Sequence, residues 1–352
     1  MGLHVVQLGP IPPPEGGISR NILAIRNELL KRGDRCSIIA TSRSTATIDD
    51  PDLYYPGTPA RLLKILTALD FDVLHLHIGG HLNRRVMMLA AACAISARGR
   101  SVLTVHSGEF AGIGAAEGAK EGSLKGQVFR GFSRLIAVNE QLANIYQRFG
   151  VPTDRIQVIT PFAPETPDPK VVIPNELVEF AERHSEVVLW VGGMERDYDP
   201  ITAISAFALV RRAHPTAGMI MVGGGSMSAD VRAAVAEADN VEHILLAGNV
   251  EHAVTLRLMQ DAEVILRTTL FDGDAISVRE GLFLGTPVVA SDTGNRPRGC
   301  RLFKIGDPEG LSSKIMSVID EGKPTPPQPA VDTTSIRSVL AIYDSLSRHD
   351  RK

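Results

Sequence analysis

The chain reads as an α/β protein built from two doubly wound parallel sheets. Three observations predict this. Short apolar runs alternate with longer amphipathic stretches through both halves of the chain. A proline-rich segment without periodicity, Thr160 to Pro174, separates the halves. Glycine turns, at Gly16-Gly17, Gly192-Gly193 and Gly223-Gly224-Gly225, stand where strands pass into helices. At 352 residues and 44% hydrophobic content the chain can bury two cores. The expected organisation is a first Rossmann-like domain over 1–162, a second over 163–330, and a terminal helix in 331–352 that packs back toward the first.

Leu3 to Leu8 is a buried strand, and the loop after it leads into a helix from Ile18 to Arg32 with Ile22, Ile25, Leu29 and Leu30 on one stripe. Strand Cys36 to Ala40, helix Arg61 to Leu69, strand Val73 to His77, helix Leu82 to Ala97 and strand Ser101 to Val105 follow. Leu135 to Val138, a helix over 140–149 and strand Ile156 to Ile159 complete the first half. In the second, strands start at Val187, Gly218, His243, Glu263 and Pro287, with helices at Pro200, Ser228, His252 and Ile276 between them. Lys323 to Pro329 is another proline-rich connection. Ser335 to Leu346 is a last helix whose apolar Ile336, Val339, Leu340 and Tyr343 need a surface to dock on.

Several function classes fall away. The longest apolar run, Val86 to Ile95, is too short for a membrane span, and the N-terminus enters a strand with no signal-peptide pattern. A cytoplasmic protein is therefore expected, with the inner face of the membrane as a possible station. Cys36, Cys93 and Cys300 lie far apart with no CxxC, which fits reduced packing thiols. Residues 1–160 hold 18 Lys and Arg against 13 Asp and Glu, while the whole chain is at -3. A basic first half suggests an anionic partner, either phosphate groups or a lipid surface, although two differently charged solvated surfaces explain it as well. Lys120, Lys125, Arg130 and Arg134 around Leu124, Val128 and Phe129 could lie on an anionic membrane or be a solvated helix face. No nucleic-acid partner is expected.

The chemistry concentrates in Phe271 to Ala290, a turn, a helix and a strand. Asp272-Gly273-Asp274 is turn chemistry, Gly285 stops the helix, and the helix start at Ala275-Ile276 offers unpaired N–H groups suited to phosphate. Asp272 and Glu280 flank it. Gly16-Gly17 opens the first long helix in a similar way, but without the GxGxxG dinucleotide fingerprint. His106 follows a strand at the edge where open α/β sheets meet ligands, and is the first-half candidate for touching the reacting substrate or an acceptor. His75 and His77 share one face of a strand, with no carboxylate in the run. No metal site is expected there, nor at Asp272-Gly273-Asp274 despite its Asp-x-Asp spelling.

These residues carry a resemblance. Gly16-Gly17, VNEQLANIYQRFGVPTDRIQVITPF before the linker, VGG at 191–193 and DGDAISVREGLFLGTPVVASD together resemble a family-4 retaining glycosyltransferase of the GT-B fold, two Rossmann-like domains facing a central cleft. The family's Glu-x7-Glu becomes Asp272-x7-Glu280 here, followed by Gly285-Thr286-Pro287-Val288. The resemblance implies that Glu280 accepts hydrogen bonds from a nucleotide ribose. It implies that Asp272 and the backbone of Gly273, Asp274, Ala275 and Ile276 hold the donor sugar. The implied co-substrate is a nucleotide-diphosphate sugar, with no further cofactor and no metal, and the implied acceptor is a carbohydrate or lipid-linked hydroxyl in cell-surface polysaccharide or glycolipid synthesis. Gly193 and Tyr198 stand where the family carries Arg and Lys. Loss of two cations at a diphosphate weakens transition-state stabilisation by roughly several kcal/mol, so Arg267 is expected as a relocated clamp, with Arg196 and Arg279 weaker candidates. A silent binding subunit and a sugar-nucleotide epimerase are the alternatives.

Overall fold

The computed structural model describes residues 2–12, 16–42, 47–106, 110, 118–161, 165–323 and 334–348. The stretch Ser107 to Glu109 after His106, residues 111–117 and 162–164, and 324–333 in the second proline-rich connection lie outside them. The chain divides into two compact units, Met1–Ala163 with Asp332–Lys352, and Pro164–Val331.

In the first unit β1 (His4–Gly9), α1 (Gly17–Lys31), β2 (Arg35–Ala40), β3 (Leu53–Tyr54), α2 (Pro59–Ala68), β4 (Val73–Ile78), α3 (Arg84–Ser96) and β5 (Ser101–Val105) are followed by α4 (Leu124–Arg130), β6 (Arg134–Ala137), α5 (Glu140–Arg148) and β7 (Ile156–Val158). The sheet is parallel, in the order β3-β2-β1-β4-β5-β6-β7. Alternation along each strand feeds two cores. Val6 and Leu8 meet Ala90 and Cys93 of α3 and Phe129 of α4, whereas Val5 meets Ile25 and Leu29 of α1 on the other face. Ile22 and Ile18 press α1 so closely onto the strand ends that a Cβ on Gly9 or Gly79 would collide with them.

The second unit contains α6 (Asn175–Glu182), β8 (Glu186–Val191), α7 (Pro200–Ala213), β9 (Ala217–Val222), α8 (Ser228–Ala236), β10 (Ile244–Gly248), α9 (His252–Asp261), β11 (Val264–Arg267), α10 (Ile276–Phe283), β12 (Val288–Ser291), β13 (Arg301–Phe303) and α11 (Pro308–Glu321). Its parallel sheet runs β10-β9-β8-β11-β12-β13. Helices α7, α8 and α11 cover one face, and α6, α9 and α10 the other. The closing helix of the chain, α12 (Thr334–Arg348), belongs to the first unit and packs on α1 and β4, where the Tyr343 hydroxyl lies 2.6 Å from His75 Nδ1.

Strand order reverses between β1 and β4 in one sheet and between β8 and β11 in the other. In a doubly wound sheet the flanking loops part at such a point and leave room for a ligand at the carboxyl ends of the strands. The second reversal puts the loop after β8, with Gly192-Gly193, beside the loop after β11, with Asp272.

Candidate active site

The residues around β11 and α10 come together. Arg267, the last residue of β11, directs Nε to Asp272 Oδ2 at 3.0 Å and Nη2 to the same oxygen at 2.9 Å. Arg296, in the loop after β12, reaches that oxygen through Nη1 at 2.9 Å, and its remaining N–H groups donate to the Ser291 carbonyl, the Ser291 hydroxyl and the Thr269 hydroxyl. Two guanidiniums therefore share one carboxylate oxygen, and all three groups are nearly buried. Burial alone would push the Asp272 carboxyl up, but Arg267 and Arg296 outweigh it and hold the group below the usual carboxylate range. Burial also works against Arg267, where Asp272 prevails and the pKa rises; at Arg296 burial prevails and it falls. One carboxylate cannot compensate both cations fully, and since guanidinium does not deprotonate in proteins the cluster carries a net positive charge.

The loop after β8 closes the other side. The Arg267 guanidinium lies over the Tyr198 ring, 4.6 Å from its centroid, and Nη1 donates to the Val191 carbonyl at 3.4 Å. The Tyr198 carbonyl accepts from the Thr268 hydroxyl, which itself accepts from the Trp190 indole N–H at 2.9 Å. A Cβ on Gly193 would sit 3.6 Å from the same Tyr198 ring, an ordinary contact. Tyr198 thus fills space beside Gly193 and stacks on Arg267. The three glycines after β9 have another use. Gly223 has φ +130, and a Cβ there would collide with the Gly192 carbonyl oxygen, so they permit loop-to-loop packing.

Helix α10 begins at Ile276 with Ala275 as N-cap and no side chain capping its first amides. It ends in a Schellman motif: Gly285, at φ +76, donates to the Leu282 carbonyl and Thr286 to the Gly281 carbonyl. A Cβ on Gly281 would fall 2.6 Å from Ile265 Cδ1 and 2.9 Å from Val288 Cγ2, which is how the helix sits tight on β11 and β12. Gly273 and Ala275 are buried, and Ile276 is half-buried. Asp274 is buried and takes two bonds from Arg279 Nε, 2.7 and 2.8 Å; burial pushes its carboxyl up in spite of them. Glu280 is also buried, with a side chain 7% exposed. Its Oε1 lies 3.1 Å from His252 Nε2 at the start of α9, an ion-pair distance without hydrogen-bond alignment. Glu280 therefore faces a polar partner.

In the first unit, Gly16 is the N-cap of α1 and Gly17 its first residue; the Ser19 hydroxyl accepts from the Gly16 N–H and donates to its carbonyl. A Cβ on Gly16 would meet nothing within 4 Å, so the approach to that helix start is open. His106 ends the neighbouring edge, after β5. Its orientation follows from a chain of partners. Gln7 Nε2 donates to the Ile22 carbonyl, which turns Oε1 toward His77 Nε2 at 3.1 Å. That nitrogen must carry the proton, so His77 Nδ1 accepts from His106 Nε2 at 3.2 Å, and His106 Nδ1 is left as the acceptor nitrogen. Burial pushes the His106 imidazole down to about 4 and holds His75 and His77 well below the ordinary histidine value. His75 lies between the Tyr343 and Thr104 hydroxyls, 2.6 and 2.8 Å away. Among the described residues no group of three His, Cys, Asp or Glu side chains could hold a metal ion.

Sequence reading alone missed Arg296, His252 and the Gln7–His77 support of His106. Arg296 follows a strand on the ligand-bearing edge, which is the one signal that could have raised it.

Both units match known families. The model for Glycosyltransferase Family 4 matches residues 15–164, and that for Glycosyl transferases group 1 matches residues 185–321. A phosphatidyl-myo-inositol mannosyltransferase of Mycolicibacterium smegmatis is 24% identical over 341 residues, spanning 87% of this chain and 82% of its own. Among solved structures, Anabaena HepE in complex with UDP-glucose aligns over 99% of each chain at 14% identity, with a TM-score of 0.66. A putative UDP-N-acetylglucosamine 2-epimerase from Listeria monocytogenes aligns over 100% of this chain and 98% of its own at 13% identity, with a TM-score of 0.65. Two parallel doubly wound sheets, matched by a family model apiece, mean that the chain belongs to the family-4, group 1 glycosyltransferases and has their two-domain GT-B fold.

Proposed function

We propose that this chain is a retaining glycosyltransferase that moves a hexose from a nucleotide-diphosphate sugar to a hydroxyl of a carbohydrate or lipid-linked acceptor. The observation that carries this reading is the cluster of Arg267, Arg296 and Asp272 beside the uncapped start of α10. Two guanidiniums on one carboxylate, next to helix amides, supply the positive field that a departing diphosphate requires, in place of the cations absent at Gly193 and Tyr198. Arg267 and Arg296 contact Oδ2 of Asp272, so Oδ1 is the oxygen that a sugar hydroxyl would meet, and Glu280 accepts from the ribose diol. The acceptor is assigned to the first unit, where His106 Nδ1 accepts a hydrogen bond from an acceptor hydroxyl without taking its proton. In the transfer, the bond from the anomeric carbon to the phosphate oxygen breaks, a bond to the acceptor oxygen forms on the same face, and the acceptor proton passes to the departing diphosphate. Neither a protein base, a metal nor a resident cofactor has a part in that step. The HepE structures hold UDP or UDP-glucose, so uridine nucleotides are the first donors to test, and the phosphatidyl-myo-inositol mannosyltransferase relative supports a lipid-linked acceptor.

A second reading, a subunit that binds without turnover, is favoured by one fact: Gly193 and Tyr198 replace the family cations, and the Tyr198 ring is stacked against Arg267. A thermal-shift panel of nucleoside diphosphates and their sugars, followed by titration calorimetry and an assay for released nucleoside diphosphate, separates the two. Transfer predicts binding with turnover, and Arg267→Ala should lower turnover on the order of a hundredfold while the protein stays folded. Binding without turnover on any sugar offered would favour the silent subunit. Unchanged affinity and rate in Arg267→Ala would remove the clamp.

A further inference from the structure

We propose that His252 is a positioning residue for Glu280, holding its carboxylate in the rotamer that receives both hydroxyls of a donor ribose. This role depends on Glu280 being the ribose acceptor of the donor site, and specifies what sets that side chain. Helices α9 and α10 lie side by side on one face of the second sheet, and each starts at its carboxyl edge, after β10 and β11. At their far ends the pair is tied by Thr286, just past α10, whose hydroxyl donates to the Met259 carbonyl of α9 at 2.7 Å in a buried bond. At their near ends His252, the first residue of α9, faces Glu280, in the second turn of α10, with Nε2 3.1 Å from Oε1. Val254, Leu256, Leu258 and Met259 bury α9 against the sheet, so the imidazole is carried by a fixed helix end.

Two features separate this contact from ordinary packing. Nε2 of His252 is buried without a hydrogen-bond partner, and it is the only ion-pair partner of Glu280 among the described residues. A polar pair withdrawn from water and left 3.1 Å apart without alignment is costly unless something completes it. A bare nitrogen there would set its lone pair against a carboxylate oxygen, so Nε2 carries a hydrogen. A small turn of the Glu280 carboxyl aligns Oε1 with that N–H and leaves Oε2, with the second lone pair of Oε1, for a diol. The vicinal hydroxyls of ribose offer paired donors that one carboxylate can accept together, which completes the group. Glutamate otherwise has several rotatable bonds to disperse over, and an N–H from a fixed helix end removes that freedom before the ligand arrives. A role confined to joining α9 to α10 needs no such nitrogen, since Thr286 and the apolar contacts already join them.

The test is titration calorimetry of the full-length protein with UDP, GDP and ADP, each against its 2′,3′-dideoxy form, on the parent, His252→Leu and His252→Gln. The parent should bind the ribose form of its nucleotide about tenfold more tightly than the dideoxy form. In His252→Leu the ribose form should weaken about tenfold while the dideoxy form stays within about twofold, and the donor KM should rise with kcat held. His252→Gln, whose amide N–H reaches to where Nε2 stands, should restore most of the preference. His252→Asn, polar but too short, should not, and it serves in place of the leucine variant if that one does not fold. Equal weakening of both forms, a preference unchanged in the leucine or asparagine variant, or a glutamine variant no better than leucine would each overturn the proposal. A parent that binds none of these nucleotides, or binds them without preferring ribose, would bring down the donor reading of Glu280 as well. A ribose preference in the parent that every His252 variant keeps would overturn the positioning role alone.

Discussion

Asp272 is the residue on which the donor site is balanced. Its Oδ2 receives N–H groups from Arg267 and Arg296, and the pair is stable only while that oxygen is charged, since both guanidiniums are largely withdrawn from water. Breaking a buried ion group by removing one partner exposes the full desolvation cost of the others. Asp272→Asn keeps the shape and deletes the charge, so urea unfolding should show a loss on the order of 3–5 kcal/mol. A nucleoside diphosphate, bringing the missing negative charge, should recover part of it and raise the melting point of the variant more than that of the parent. A variant as stable as the parent would mean that water already compensates the arginines. The same residue explains why Arg296 was not legible in the sequence. It meets Asp272 across 24 residues, as Gln7 meets His77 across 70, and no local pattern announces a partner at that distance. Arg267 and Asp272, five residues apart at a strand end, could be read as neighbours.

At the level of elements, local chemistry was readable and short edges were not. The helix over α10 was legible because Gly285 marks its stop and Asp272-Gly273-Asp274 its approach, and the Schellman bonds lie where that glycine predicts. Strands β3 and β13, of two and three residues, are too short to display a period. Helix α11 is different: Asp307 caps it, Pro308 opens it and Gly322 follows it, so its start and stop signals were present and passed over. The glycines teach a related lesson. Gly16 and Gly223 look alike in sequence, as turn glycines before helices, but their surroundings are opposite. Gly16 has extended backbone and open space, whereas Gly223 has φ +130 and the Gly192 carbonyl against it. Gly223→Ala should cost about 3 kcal/mol or more, read as a fall in melting temperature, because it adds backbone strain to a steric clash. Gly16→Ala should remain within about 0.5 kcal/mol of the parent. Equal effects at the two sites would contradict the loop packing described at β8 and β9.

For the whole molecule, acid is the condition that tests how the first unit is built. His75 is bonded to Tyr343 of α12 and to Thr104, its ring lies 3.9 Å from that of His77, His77 is bonded in turn to His106, and all three are neutral when folded. Protonating His77 Nδ1 would point two N–H donors at each other across the 3.2 Å to His106, which the unfolded chain avoids. The folded value of His106, about 4, lies below the ordinary 6.5, so the unfolded chain takes up the proton first. The stability contributed by neutral His106 is thus complete above pH 6.5 and is lost as the pH falls through that value toward 4. By pH 5 this one residue should lower unfolding free energy by roughly 2 kcal/mol, with His75 and His77 acting in the same direction. Asp272, whose pKa lies below the carboxylate range, begins to lose its contribution only at still lower pH, so the donor cluster does not account for a change between pH 7 and pH 5. Urea unfolding at those two values should show the fall, and His106→Gln should reduce it by about 2 kcal/mol. A free energy that stays level from pH 7 to pH 5 would mean that these histidines take up protons without disturbing the packing of β1, β4, β5 and α12.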